Sequence, residues 1–116
     1  MAELEKTLVK GIIRNLNRLV ILWLISQKTC TGYEVLKEMR RITSQNLHPG
    51  VIYSLLYKLE KSEFIVGDRF QKGRQVVTYY SISDRGRRAL NHLRDLFNLP
   101  LGPILQDILK KEEQNP

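Results

Sequence analysis

The chain is 116 residues long with 42% hydrophobic and 27% charged residues, the composition of one globular domain rather than of a disordered segment. Its 19 Lys and Arg against 12 Asp and Glu leave a formal charge of +7 and a sequence pI of about 9.8, so polyanions are the natural partners: nucleic acid first, an acidic membrane surface second. The lone cysteine, Cys30, excludes an internal disulfide and a Cys-rich zinc site, and the longest apolar run, Leu19 to Ile25, is far shorter than the roughly 20 residues of a membrane span.

No small-residue cleavage site accompanies that run, so a cytoplasmic chain is expected. From Leu8 to Ile25, apolar residues recur at Leu8, Ile12, Leu16, Leu19, Val20, Trp23 and Leu24, a spacing that predicts a helix over 3–27. Its last third is apolar nearly all round, the pattern of a helix buried on several sides. "QKTCTG" breaks the pattern, with Cys30 as a small half-buried residue. Gly32 then opens "GYEVLKEMRRI", where Val35, Leu36, Met39 and Ile42 mark a second, shorter helix with a basic end at Arg40 and Arg41.

"TSQNLHP" is the next break. His48 precedes a proline and is pushed toward an extended backbone, while Pro49 suits the first position of a third helix. At about 100° per residue, Val51, Ile52, Leu55, Leu56 and Leu59 fall on one side of that helix. Gly50, Tyr53, Ser54, Tyr57, Lys58 and Lys61 fall on the other. One side can pin the helix to a core, and the other offers hydroxyls and cations to a partner.

The period then changes. "FIVGDRF" and "QVVTYYSI" are rich in β-branched and aromatic residues and enclose Gly73, which predicts a two-stranded hairpin over 64–82 with a basic tip at Arg69, Lys72 and Arg74. "SDRGRRALNHLRDLF" follows, with Ser83 as N-cap, Asp84 in the first turn and a stripe of Leu90, Leu93, Leu96 and Phe97. After "NLPLGP", Pro103 can open a last helix carrying Ile104, Leu105, Ile108 and Leu109, ahead of the polar tail "KKEEQNP".

The expected architecture is mainly α with a small β-hairpin, an α+β fold. Three helices followed by a basic hairpin make a winged helix-turn-helix, in which the third helix enters the major groove and the hairpin reaches the flanking backbone or minor groove. Residues 1–98 would form this DNA-binding domain, and 99–116 a C-terminal helix and tail.

In three stretches the sequence resembles the PadR family of transcriptional regulators, particularly its short members. "ILWLISQKTCTGYEVLKEM" is similar to the family's first helix, Gly-Tyr junction (Gly32, Tyr33) and second helix. "LHPGVIYSLLYKLEKSEFI" resembles its Gly-x-hydrophobic-Tyr-x-x-Leu-x-x-Leu-Glu signature at Gly50, Ile52, Tyr53, Leu56, Leu59 and Glu60. In "TYYSISDRGRRAL", Tyr79, Tyr80, Gly86 and Leu90 fit the segment that joins the wing to the next helix. The chain departs from the family at Val51, where Ser or Thr is common, at Ser54, where Pro is common, and at Glu63, usually Gly. The resemblance implies a homodimeric repressor whose N- and C-terminal helices make the dimer and which can respond to a small aromatic or drug-like effector. The stripes Leu8, Ile12, Leu16 and Ile104, Leu105, Ile108, Leu109 lie outside the compact core and need cover, in keeping with that implication.

The candidate DNA contacts each have a plainer alternative. Tyr53 can hydrogen-bond a phosphate or merely cap the core, and Tyr57 can reach a base edge or sugar. Ser54, Lys58 and Lys61 share that face, and Gly50 allows close backbone approach at a helix N-terminus that itself favours an anion. Gln45, Asn46 and His48 are ordinary turn residues or base and phosphate readers. Arg69, Lys72 and Arg74 are a solvated hairpin tip or backbone contacts, and Tyr33 and Lys37 a half-buried ring beside a backbone-contacting cation. Trp23 belongs to the core or dimer interface, or walls a planar effector. Two His, one Cys and scattered acids form no nucleophile–base pair or metal-ligand spacing, so neither an enzyme nor a cofactor or metal is expected. The competing class is a winged-helix protein-interaction module, which needs no basic wing tip.

Overall fold

The structure is a computed structural model that describes residues 2–112. Helix α1 (Glu3–Gln27) carries Glu3 and Glu5 in its first turn, where carboxylates complement the helix dipole. Only its C-terminal part enters the core, through Ile21, Leu22 and Ile25. Strand β1 (Cys30–Thr31) leads into α2 (Gly32–Thr43), which buries Val35, Leu36 and Met39. The start of α2 is a capping box: the Glu34 amide donates to the Thr31 hydroxyl, and the Thr31 amide donates to the Glu34 carboxylate, both at 3.1 Å.

Helix α3 (Pro49–Lys61) begins on His48 in extended conformation with Pro49 at its first position. It sends Ile52, Leu55, Leu56 and Leu59 inward. Strands β2 (Ile65–Lys72) and β3 (Gln75–Ile82) then pair antiparallel from Ile65↔Ile82 to Lys72↔Gln75. The turn between them holds Gly73 at φ 61°, a left-handed conformation glycine adopts without strain. Helix α4 (Asp84–Asn98) is capped by Ser83, whose hydroxyl accepts from the Gly86 amide at 3.0 Å and donates to the Glu63 carbonyl at 2.6 Å. Helix α5 (Leu101–Leu109) follows after two residues, touches α4 and buries none of its residues.

Ile21, Val35, Met39, Ile52, Leu56 and Ile65 are the most deeply buried large side chains. They come from α1, α2, α3 and the root of β2, so one core fixes α3 against the other elements. This is the winged helix-turn-helix expected from the element order.

Several expectations need correction. The sheet has three strands in the order β1-β3-β2, not two, because Cys30 and Thr31 pair with Tyr80 and Tyr79. A two-residue strand shows no period, so nothing in "TCTG" announced it. Val51, placed on the inner side of α3, is 45% exposed, and Ile42 at the end of α2 is also exposed. Each lies at the margin of its apolar arc, where no neighbouring element covers it. Trp23 is 42% exposed and is not a core residue of the protomer. Helix α5 starts at Leu101, two residues before Pro103. Of the expected tail, residues 113–116 lie outside the described residues.

Candidate nucleic-acid interface

The approach to α3 is held by backbone contacts. Ser44 takes a left-handed conformation (φ 53°) that ends α2. The Arg40 guanidinium donates twice to the Leu47 carbonyl, at 3.0 and 2.7 Å, and so ties the turn back to α2. Leu47 is half-buried against the core, while Gln45, Asn46 and His48 stay exposed. Arg40 thus positions a turn whose exposed side chains flank the start of α3.

On α3 the outward face centres on Gly50, Ser54, Tyr57 and Lys61, all exposed. A Cβ built on Gly50 would meet open space. Lys58 and Val51 lie on one flank of this face. Tyr53 lies on the other, and its ring rests on Gly32, where an added Cβ would come within 2.5 Å of the ring. Tyr53 is nevertheless 46% exposed, so it both packs and faces outward.

Two tyrosine–lysine pairs stand on neighbouring helices. Lys37 Nζ lies 5.6 Å from the centroid of the exposed Tyr33 ring, and Lys61 Nζ lies 5.9 Å from that of Tyr57. Tyr33 is well exposed rather than half-buried in the core. In the wing, Lys72 Nζ donates to the Tyr79 hydroxyl and sits 5.0 Å from the ring, which Phe70 meets edge-on at 5.7 Å. Lys72 and Arg74 bracket the turn at Gly73.

Arg69 is not at the tip. It lies opposite Thr78 within the ladder, and its guanidinium meets the Glu60 carboxylate through two contacts of 3.2 Å. The hydrogen bonds and charge of Glu60 raise the Arg69 pKa further above its ordinary value. This pair links α3 to the wing, and no periodic signal joins residues nine apart on a helix and a strand. Other acids near this surface are also engaged. Glu34 caps α2, and the Thr31 amide holds its carboxyl below the usual value, while Glu38 is held low by its hydrogen bond from Arg41. Lys37, Lys58, Lys61, Lys72 and Arg74 join none of the ion pairs among the described residues. The outcome is a face of cations and phenols suited to phosphate oxygens, on which Glu34, Glu38 and Glu60 are engaged. Asp68, exposed opposite Tyr79 in the wing, joins none of the ion pairs among the described residues.

The proposed interface stripes are exposed in the protomer: Leu8, Ile12 and Leu16 on α1, and Ile104, Leu105, Ile108 and Leu109 on α5. Trp23 borders two recesses. One, of about 660 Å³ between α1 and α2, is lined by Leu24, Cys30, Val35 and Ile42 together with charged residues. The other, of about 320 Å³ between α1 and α4, is lined by Leu90, Leu93 and Phe97. Burial pushes the Cys30 thiol pKa up, so this sulfur is no activated nucleophile.

The sequence profile of the transcriptional regulator PadR-like family matches residues 21–92, more than half of the chain. The chain belongs to the PadR-like family of transcriptional regulators. Similar solved structures include a transcriptional regulator of Thermoplasma acidophilum, 29% identical, with a TM-score of 0.74 over 89% of this chain and 97% of that one. A Streptococcus transcriptional regulator is 27% identical, with a TM-score of 0.70 over 89% of this chain and 97% of that one. A PadR-like regulator of Bacillus cereus, 24% identical, shares the fold with a TM-score of 0.70 over 91% and 99% of the two chains. No curated protein matches the sequence. The PadR-like region runs from the buried part of α1 to α4 and contains α2, α3 and the wing. No helix among the described residues is long and apolar enough to cross a membrane.

Proposed function

We propose that this PadR-like regulator is a cytoplasmic homodimeric repressor that reads an inverted-repeat operator. The observation that carries this reading is the two-sided α3: Ile52, Leu55, Leu56 and Leu59 are sealed in the core, while Gly50, Ser54, Tyr57 and Lys61 face solvent beside unpaired cations. The helix lies in a major groove, with the turn residues Gln45, Asn46 and His48 at its leading end and Lys72 and Arg74 of the wing on the flanking backbone. The uncovered stripes of α1 and α5 meet their copies in a two-fold partner, which places half-sites about 34 Å apart or a multiple of that spacing. A planar aromatic effector stacks on Trp23 where the α1 recesses open and alters the spacing of the two reading helices.

Selection of bound fragments from a random duplex pool tests this reading. A palindromic consensus is the expected result. Failure to enrich any sequence, with weak binding to duplex at every salt concentration, would instead favour a protein-interaction module. Because Trp23 is the only tryptophan, quenching of its fluorescence reports effector binding directly.

A further inference from the structure

Helix α1 has a second face. At about 100° per residue, Lys10 and Arg14 lie on the side of α1 opposite Leu8, Ile12 and Leu16. Lys10, Ile13, Arg14 and Asn17, spaced as i, i+3, i+4 and i+7, line one wall of a recess of about 540 Å³. The facing wall is Gly50, Val51, Ser54 and Lys58 of α3, with Gln45 and Leu47 from the turn. Among the described residues the lining contains three cations, Lys10, Arg14 and Lys58, and no carboxylate. None of the three belongs to an ion pair among the described residues. The exposed Val51 opens onto this recess, on the α3 flank away from Tyr53.

We infer that Lys10 and Arg14 are DNA-backbone contacts, so that α1 holds the strand on one side of the groove occupied by α3 while the wing holds the other. This inference rests on the DNA-binding reading above. A helix lying in the major groove, about 12 Å wide, has a phosphate strand along each side. The α3–wing side is served by Lys72 and Arg74. The opposite side faces α1, where uncompensated cations line a groove open to a strand. The apolar stripe on the far side of α1 is left free for the partner subunit, so one helix serves both assembly and DNA.

The test is a salt series from 50 to 200 mM with a random-sequence duplex. It compares wild type, Lys10→Ala/Arg14→Ala and the charge-preserving Lys10→Arg/Arg14→Lys, with Lys72→Ala/Arg74→Ala as reference. Each lost phosphate contact lowers the slope of log K against log salt by about 0.9, so the first variant loses about 1.8 in slope and up to about 60-fold in affinity at 0.1 M salt. The charge-preserving variant keeps the wild-type slope. An unchanged slope in Lys10→Ala/Arg14→Ala, beside a reduced one in the wing variant, overturns this inference and leaves the regulator reading standing. An equal loss in the charge-preserving variant also overturns it, because charge is then not what acts. Calorimetric titration with inorganic phosphate gives the other arm. Saturable binding that is lost in Lys10→Ala/Arg14→Ala while the duplex slope persists makes the recess a small-anion site and overturns the inference. A wild-type chain without affinity for duplex removes the regulator reading and this inference together.

Discussion

The pairing of Arg69 with Glu60 separates two accounts of the wing that composition alone treats alike. Counted as a free cation, Arg69 would add a third phosphate contact to Lys72 and Arg74. In the structure both ends of its guanidinium are occupied by the Glu60 carboxylate at 3.2 Å, and Nη1 also donates to the Gly67 carbonyl at 3.2 Å. Its charge is therefore already balanced, and its expected contribution to counterion release is near zero. Removing both charges with Glu60→Gln/Arg69→Gln leaves the salt slope for random duplex unchanged, whereas Lys72→Ala/Arg74→Ala lowers it by about 1.8. Glu60→Gln alone frees the cation and raises the slope by up to about 0.9, with up to about eightfold tighter non-specific binding at 0.1 M salt. Fluorescence anisotropy against a labelled duplex at four or five salt concentrations resolves these differences. A drop of about 0.9 in the double variant would refute the reasoning, since Arg69 would then reach phosphate despite its partner. The same series with a selected operator shows whether the link between α3 and β2 also sets the wing angle, as a fall in the ratio of specific to non-specific affinity for Glu60→Gln.

Glu63 is held at φ 66° beyond the end of α3, a conformation that strains a non-glycine residue, and its carboxylate meets Arg85 only at an exposed 3.5 Å. Glu63→Gly should stabilise the protein by about 1 kcal/mol and raise Tm by about 4 °C at fixed protein concentration, and a lower Tm would contradict the strain. Gly86→Ala should destabilise by about 2–4 kcal/mol, because its Cβ would stand 2.1 Å from the Phe64 carbonyl oxygen; calorimetry showing a neutral change would disprove that contact. Glu34→Ala removes half of the capping box and should cost about 1 kcal/mol at pH 7. The folded-state pKa of Glu34 is depressed, so its contribution is complete above the ordinary carboxylate value and fades as pH falls through the folded one; a wild-type-to-variant Tm gap that stays constant on acidification would count against this. Ile104→Glu/Ile108→Glu should yield monomers in sedimentation, and a persistent dimer would move the interface off α5.

The parts of the fold that repeat at a helical or strand period were legible in the sequence. The inner stripe of α3, the Ser83 cap and the two wing strands all follow from local patterns a few residues long. The unread parts are contacts between segments distant along the chain. Nothing near Cys30 shows that two residues will pair with Tyr80 and Tyr79 about fifty positions later. Apolar periodicity alone also cannot separate core from future interface. Leu16 and Leu19 belong to one stripe in the pattern, yet Leu16 is half exposed and Leu19 packs against the core. Periodicity specifies which face is apolar, while burial depends on which element arrives to cover it. The outward face of α3 was readable for the same local reason, and Arg69 was misplaced because its partner lies on another element.

Three departures from ordinary side-chain packing decide how that face is aimed. The ring of Tyr53 occupies the space a side chain at position 32 would need, the Glu60 carboxylate that of position 67, and the Phe64 carbonyl that of position 86. Tyr53 and Glu60 belong to α3 and Phe64 to its exit, whereas Gly32, Gly67 and Gly86 belong to α2, the wing and α4. Each glycine therefore lets a different neighbour close on the same helix, and together they fix its position from three directions. A larger residue at position 32 would meet only a ring that can swing aside, moving Tyr53 on the outward face of α3 with little loss of stability. At position 86 the obstacle is backbone, so the fold itself must give. Substitutions at these two positions should thus separate the aim of α3 from the stability of the domain that carries it.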